Sequence, residues 1–379
     1  MKKAVSVLLS AILTVCSAVT AFADESDDRE GSPDVSAETY VLYCADNGQI
    51  LAAKDENKRM KPASTTKIMT TLLDLEAAAS CDETVTFTKE MAAEGSSMYL
   101  ELGEKVRLSD LAVGMMMSSG NDAANAAALS LSDSFEDFSE LMNGRAKQIG
   151  MDNTHFITPS GLDDDDHYST AYDMALLMTY ALENEDFAKL SAKKSAKVDF
   201  VEPEKHITYS NHNRLLSLYE YCIGGKTGYT MAAGRCLVSA ARKDGLTLVC
   251  VTMNDRNDWD DHIKLYNYGF DNYFSENSSD SEFMAEIPCV GGTVDTVDVV
   301  GEKDVSVVLP AKDKSKLERK VYIDSFLYAP IAKNQTVGRI DYIIDGNRVA
   351  SVNVISADNV EIKKDNSIFN KIKELFSYG

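Results

Sequence analysis

The apolar positions change their period several times along the chain, and each change marks an element. "YVLYCADNGQILAAK" is two apolar runs joined by Asp46-Asn47-Gly48, which predicts a β-hairpin. From Ser64 the spacing becomes helical, with Ile68, Met69, Leu72, Leu73 and Leu75 on one inward face. "LSDLAVGMMM" and "NDAANAAALSLS" predict two further buried helices. "FEDFSELMNGRAKQIG" is amphipathic and stops at Gly150, a residue that readily takes the left-handed conformation ending a helix. "STAYDMALLMTYALEN" predicts a helix capped by Ser169 or Thr170, whose hydroxyls can accept from the first free N–H groups. Two strand-like runs, "CLVSAAR" and "LTLVCVTM", meet at Lys243-Asp244-Gly245, a second hairpin signal. A helix follows over about 260–268.

Beyond "SENSSDSE" the helical period disappears. From 284 to about 362 apolar and polar residues alternate between turns, as in "RIDYIIDGNRVASVNVI", which predicts a small all-β domain. The chain is therefore expected to be α+β: a mixed domain over 34–275, then the β-rich domain over 284–362. The last stretch, 363–379, places Ile368, Phe369, Ile372, Leu375 and Phe376 on one helical face, with Lys371 and Lys373 elsewhere and Lys363 and Lys364 upstream. That pattern predicts an amphipathic helix lying on a membrane surface. A helix docked on its own β-domain is the alternative.

The other terminus carries "MKKAVSVLLSAILTVCSAVTAFA", a basic start and an apolar run ending in small residues. It predicts a secretory signal over 1–23, cut after Ala23, and a polar tether over 24–33. A retained anchor is the alternative. Six cysteines follow, at 44, 81, 222, 236, 250 and 289. An exported chain permits disulfides, so free thiols and one bridge among Cys222, Cys236 and Cys250 both stay open. The 60 acidic against 38 basic residues give a net charge of -22, which argues against a nucleic-acid partner.

"KPASTTKIMT" puts Ser64 and Lys67 three apart at a helix start, on one face and within hydrogen-bond reach. A serine hydroxyl is a poor nucleophile until a base takes its proton. A lysine can be that base only when neutral, which requires its site to disfavour the ammonium by about 4 kcal/mol relative to water. Ser-x-x-Lys alone arises often by chance. It is followed here by Ser119-Gly120-Asn121, on a turn between helices, and by Lys226-Thr227-Gly228, just before the strand at Cys236. Rival chemistries fit poorly. "GGKT" lacks the first phosphate-loop glycine, whose place falls at Glu220, and Cys-x-x-Cys, His-Glu-x-x-His and Gly-x-Ser-x-Gly are absent from the sequence. No metal or cofactor is expected. The acidic run Asp163–Asp166 reads as a solvated loop, and the five histidines show no triad context.

The set Ser-x-x-Lys, Ser-x-Asn and Lys-Thr-Gly, in that order, resembles the penicillin-binding proteins and serine β-lactamases. In that setting Ser119 can relay a proton between Lys67 and the leaving amine, and Asn121 can hold a substrate amide. Lys226 and Thr227 can take a substrate carboxylate, and Gly228 lets a strand edge approach the substrate. "SSGNDAAN", "NTHFITPSGLDDDDHYSTAYDMA" and "GGKTGYT" narrow the resemblance, over about 40–270, to the D-alanyl-D-alanine carboxypeptidases. The resemblance implies a five-stranded antiparallel sheet flanked by helices, a β-rich appendage and a C-terminal amphipathic anchor. It implies that Ser64 attacks the bond between the two D-alanines of a peptidoglycan stem peptide, with the backbone N–H groups of Ser64 and Tyr229 as oxyanion hole. β-Lactam antibiotics would acylate the same serine. The enzyme would work outside the cytoplasm, held to the outer face of the cytoplasmic membrane. Two departures stand out: Tyr229 replaces a histidine of some relatives, and only Arg256 lies where others carry a carboxylate-binding arginine. A D,D-endopeptidase, a class A-like β-lactamase and a non-catalytic wall-binding protein are the alternatives. The β-lactamase lacks its Glu-x-x-x-Asn pattern here.

Overall fold

A computed structural model describes residues 32–363. The expected signal segment, and the terminal helix beyond Lys363, lie outside the described residues. In chain order the mixed part contains β1 (Thr39–Cys44), β2 (Ile50–Lys54), α1 (Lys67–Ser80), β3 (Thr84–Thr86), β4 (Lys105–Arg107), α2 (Leu108–Met117), α3 (Asn121–Leu131), α4 (Phe135–Ile149), α5 (Ala171–Leu182), α6 (Glu185–Ser191), β5 (Ser195–Phe200), β6 (Lys205–Ser210), α7 (Leu215–Leu218), β7 (Cys222–Thr230), β8 (Gly234–Lys243), β9 (Leu246–Met253) and α8 (Asp258–Asn272). The remainder is β10 (Tyr273–Ser278), β11 (Met284–Val290), β12 (Thr296–Gly301), β13 (Val305–Pro310), β14 (Glu318–Ile323), β15 (Leu327–Tyr328), β16 (Thr336–Ile344) and β17 (Asn347–Ser356).

The mixed part is built on a five-stranded sheet in the order β2-β1-β9-β8-β7, antiparallel throughout. All eight residues of β9 are buried, which is why its sequence is a continuous apolar run. The pleat sends alternate residues to opposite faces. Val249, Val251 and Met253 join a core with α1, α2, α3 and α5. Leu246, Leu248 and Cys250 join a second core with Leu265 and Tyr266 of α8. The expected α+β class and sheet are thus present, with helices on both faces. The two hairpins fall at the expected turns: Gly48, Asp244 and Gly245 all have positive φ.

Several details differ from expectation. The chain at Ser64 is a 3-10 turn (Ala63–Thr66), and the α-helix starts only at Lys67. Thr170, not Ser169, caps α5 by accepting from Asp173 N; Ser169 Oγ bonds Thr154 instead. The last helix of this part spans Asp258–Asn272, longer than 260–268, with Asp258, Asp260 and Asp261 beside its positive N-terminal end. The β5–β6 hairpin went unpredicted, although β5 alternates exposed and buried residues throughout. All six cysteines are free, and Cys236 and Cys250 are fully buried with thiols held far above their ordinary range by burial.

The C-terminal β-domain is a six-stranded sheet, β14-β16-β17-β12-β11-β15, with a separate β10–β13 ladder. Val299, Ile340, Tyr342 and Val354 centre its core. The polar stretch read as a break is partly strand. β10 begins at Tyr273, directly after Asn272 of α8, and pairs with β13 over six residues. Backbone pairing, which the polar side chains from Ser275 on do not prevent, extends it past Tyr273 and Phe274, which pack against the cores.

Close packing between α8 and the sheet gives a first prediction. A Cβ on Gly269 would lie 2.5 Å from Leu248 Cδ1 and 3.0 Å from Leu42 Cδ2. Gly269→Ala should destabilise the protein in urea unfolding, and Leu248→Ala alone should cost about 2–5 kcal/mol. Because one cavity can receive the other's methyl, the double variant should be more stable than the sum of the two predicts.

Candidate active site

The nucleophile turn is set by backbone more than by side chains. Ala63 sits in the left-handed region at φ 49°, and Ser64 follows, half-buried. As an early residue of its turn, Ser64 has an N–H with no acceptor inside the helix. Lys67 opens α1 and is completely buried. Its Nζ lies 2.9 Å from Ser64 Oγ, 2.7 Å from Asn121 Oδ1 and 2.7 Å from the main-chain oxygen of Ser160. The amide of Asn121 cannot be reversed, because its Nδ2 donates to Glu94 O at 2.6 Å. A neutral amine has two N–H bonds and one lone pair. Asn121 Oδ1 and Ser160 O can only accept, so they use both N–H bonds. The lone pair is left to the Ser64 hydroxyl.

Electrostatics favour that neutral form. Burial, and then the charge of Lys226, hold Lys67 well below the ordinary lysine range; Asp122 opposes them more weakly. Lys226 is also buried, and desolvation lowers it to about 7. Its Nζ donates to Ser119 Oγ at 2.9 Å and to Thr227 O at 2.8 Å. Ser119 therefore stands beside Lys226. It sits on the turn between α2 and α3 in the left-handed region, at φ 57°. For a serine that conformation costs about 1–3 kcal/mol, and the packing of the two helices imposes it.

Lys226, Thr227, Gly228 and Tyr229 lie on β7, the edge strand of the sheet, so one side of its backbone is unpaired by the sheet. A Cβ on Gly228 would lie 3.0 Å from each of Pro62 O, Ser64 N and Thr65 N. Only a residue without a side chain lets β7 lie this close to the nucleophile turn. A cleft of about 450 Å³ opens over Ser64, Ser119 and Thr227. Ser64, Lys67, Ser119, Asn121, Lys226, Thr227 and Gly228, scattered over more than 160 positions of sequence, thus surround one space.

The profile of the D-alanyl-D-alanine carboxypeptidase family matches residues 26–257, and that of the penicillin-binding protein 5 C-terminal domain matches 277–362. The chain belongs to the D-alanyl-D-alanine carboxypeptidase family. The D-alanyl-D-alanine carboxypeptidase DacF of Bacillus subtilis is 30% identical over 95% of both chains. DacA of Escherichia coli is 34% identical over 84% of this chain and 82% of its own. The crystal structure of penicillin-binding protein 5 from Haemophilus influenzae superposes with a TM-score of 0.73 at 30% identity, covering 88% of this chain and 99% of that one. Serine carboxypeptidase activity on peptidoglycan, and β-lactam binding, are the properties of this family.

Within this carboxypeptidase, the cleft holds side chains that the sequence did not single out. Arg235, the ladder partner of Tyr229, presents a guanidinium whose Nη2 and Nε grip the buried carboxylate of Asp258 at 2.7–3.1 Å. Trp259 and His212 stand in the same lining. Arg256 is exposed and outside it. The one sequence signal for Arg235 was a lone charge one residue before the apolar run of β8. Burial, and then the charge of Lys226, lower His212 below the ordinary imidazole range. The segment where a β-lactamase would place its glutamate offers the Ser160 carbonyl to Lys67 instead. In the acidic run, the carboxylate of Asp163 accepts from Thr230 Oγ1 and the main-chain oxygen of Asp164 accepts from Lys61 Nζ.

Gly228→Ala tests the contact between β7 and the nucleophile turn. The added methyl should push the strand off Ser64 N and slow acylation by a fluorescent penicillin about 10²-fold, the scale of one lost oxyanion donor. The melting temperature should change little, since β7 is an edge strand.

Proposed function

We propose that Ser64 is the nucleophile and Lys67 its general base in removing the terminal D-alanine from peptidoglycan stem peptides. The observation that carries this reading is the saturation of both Lys67 N–H bonds by Asn121 and Ser160, which turns the lone pair to Ser64. Ser64 Oγ attacks the carbonyl between the two D-alanines as Lys67 takes its proton. The N–H groups of Ser64 and Tyr229 receive the oxyanion. Ser119 relays the proton taken by Lys67 to the departing D-alanine amine, which returns Lys67 to its neutral form, and water, with Lys67 again as base, then hydrolyses the acyl-enzyme. Asn121 holds the substrate amide. Thr227, Lys226 and Arg235 face its terminal carboxylate, and the open edge of β7 pairs with its backbone. β-Lactams acylate Ser64 by the same attack. Fluorescent penicillin should label the native protein and leave Ser64→Ala unlabelled, and the native protein should release D-alanine from a stem-peptide mimic. An unlabelled native protein would end the acyl-enzyme reading. Label without D-alanine release would favour a D,D-endopeptidase acting on cross-linked peptides through the same site.

Export by the 1–23 segment and attachment to the outer face of the cytoplasmic membrane by 363–379 complete the proposal. No helix among the described residues is long and apolar enough to cross a membrane. Removing 366–379 should abolish partitioning onto anionic vesicles; unchanged partitioning would exclude that role.

The state of Lys226 adds a pH dependence. In the empty site it loses its proton near pH 7. A substrate carboxylate favours the ammonium, so the protonated enzyme binds better. The dissociation constant of Ser64→Ala for a peptide ending in D-Ala-D-Ala should rise as pH increases above 7, by up to about tenfold per unit, until Lys226 in the complex also titrates. An affinity constant from pH 6 to 9 would remove Lys226 from carboxylate recognition.

A further inference from the structure

The carbonyl of Ser160 belongs to a loop, and a loop oxygen holds a base in place only if the loop itself is fixed. Residues 157–162 cross the first turns of α1 and are joined to it at three places. Ser160 O accepts from Lys67, and Pro159 O accepts from Thr70 Oγ1 at 2.6 Å. The third junction is the ring of His167. Its Nδ1 lies 2.9 Å from Ile157 N and 3.2 Å from Thr158 N, and its Nε2 lies 2.9 Å from Thr66 Oγ1. Two backbone N–H groups aimed at Nδ1 require a lone pair there. The proton is therefore on Nε2, which donates to Thr66. The ring is 2% exposed and packs against Phe156, 5.7 Å between centroids. Gly161, at φ 80°, brings the same loop against the nucleophile turn; a Cβ there would lie 1.9 Å from Ala63 O.

We propose that His167 is a positioning residue for the catalytic base: its neutral, Nε2-protonated ring ties 157–158 to Thr66, so that Ser160 O keeps one Lys67 N–H and the Lys67 lone pair stays on Ser64. The proposal rests on the acyl-enzyme reading above. A second ring proton would sit on Nδ1, facing two N–H groups and accepting from neither. The loop would then have to leave α1 and take Ser160 O with it. The surroundings resist that proton. Burial dominates, His155 and Lys61 add to it, Asp164 opposes it, and the ring titrates at about 4.

The test is the second-order rate of labelling by fluorescent penicillin. His167→Ala should slow it about 10- to 100-fold at pH 7, the range expected when a reacting group is misplaced. His167→Gln, which can accept with Oε1 and donate with Nε2, should recover most of the loss. Thr66→Val cuts the other end of the link and should slow labelling comparably, and the His167→Ala/Thr66→Val double variant should be no slower than the slower single one. In native protein the fall of log rate with decreasing pH should steepen near pH 4, where the ring takes its second proton. His167→Gln should keep the shallower slope. Labelling of folded His167→Ala within about twofold of native, a glutamine variant as slow as alanine, or additive losses in the double variant would each overturn the proposal. If His167→Ala fails to fold, Thr66→Val and His167→Gln still decide it. A native protein that takes no label would instead count against the acyl-enzyme reading.

Discussion

The site depends on an amine kept from water and given two acceptors but no carboxylate. Lys67 is fully buried, and its polar neighbours are an amide oxygen, a main-chain carbonyl and the Ser64 hydroxyl. A carboxylate in either acceptor position would bring the ammonium back. Neutral acceptors orient the base without recharging it. The second lysine serves the same end from a distance: Lys226 repels a proton on Lys67 while its own contacts go to Ser119 and Thr227.

The fold supplies these neighbours from separate layers. Asn121 comes from the start of α3, Ser160 from the loop before α5, and Lys226 from the edge of the sheet. α1 is the common partner. It packs into the core shared by α2, α3 and α5, and the 3-10 turn that leads into it faces β7 across Gly228. Two strained residues fall where the pieces meet: Ala63 and Ser119, one before Ser64 and one beside Lys226, both hold positive φ without being glycine. Such conformations persist where surrounding packing over-determines them, and they recur at working sites.

How much of this could be read from the chain follows from what each feature is made of. Ser64, Lys67, Ser119, Asn121, Lys226, Thr227 and Gly228 are residue types at fixed spacing, so they were legible. So were the central strands and most helices, whose apolar periods are long and clean. The Ser160 carbonyl was not legible, because every residue has one and only the path of the loop aims it. His167 looked like one histidine among five, since its two backbone donors and Thr66 become neighbours only after folding. Arg235 was hidden by its ladder position opposite Tyr229, which places it in the cleft while Arg256 points to solvent. β10 was missed because its side chains from Ser275 to Ser278 are polar and that stretch is held by main-chain pairing with β13.

The junction between α8 and β10 has a mechanical meaning. The helix ends at Asn272 and the strand begins at Tyr273, with no slack between them, and that strand is laced into the β-domain through β13. A joint without slack passes orientation on: the β-domain can turn only as the end of α8 turns with it.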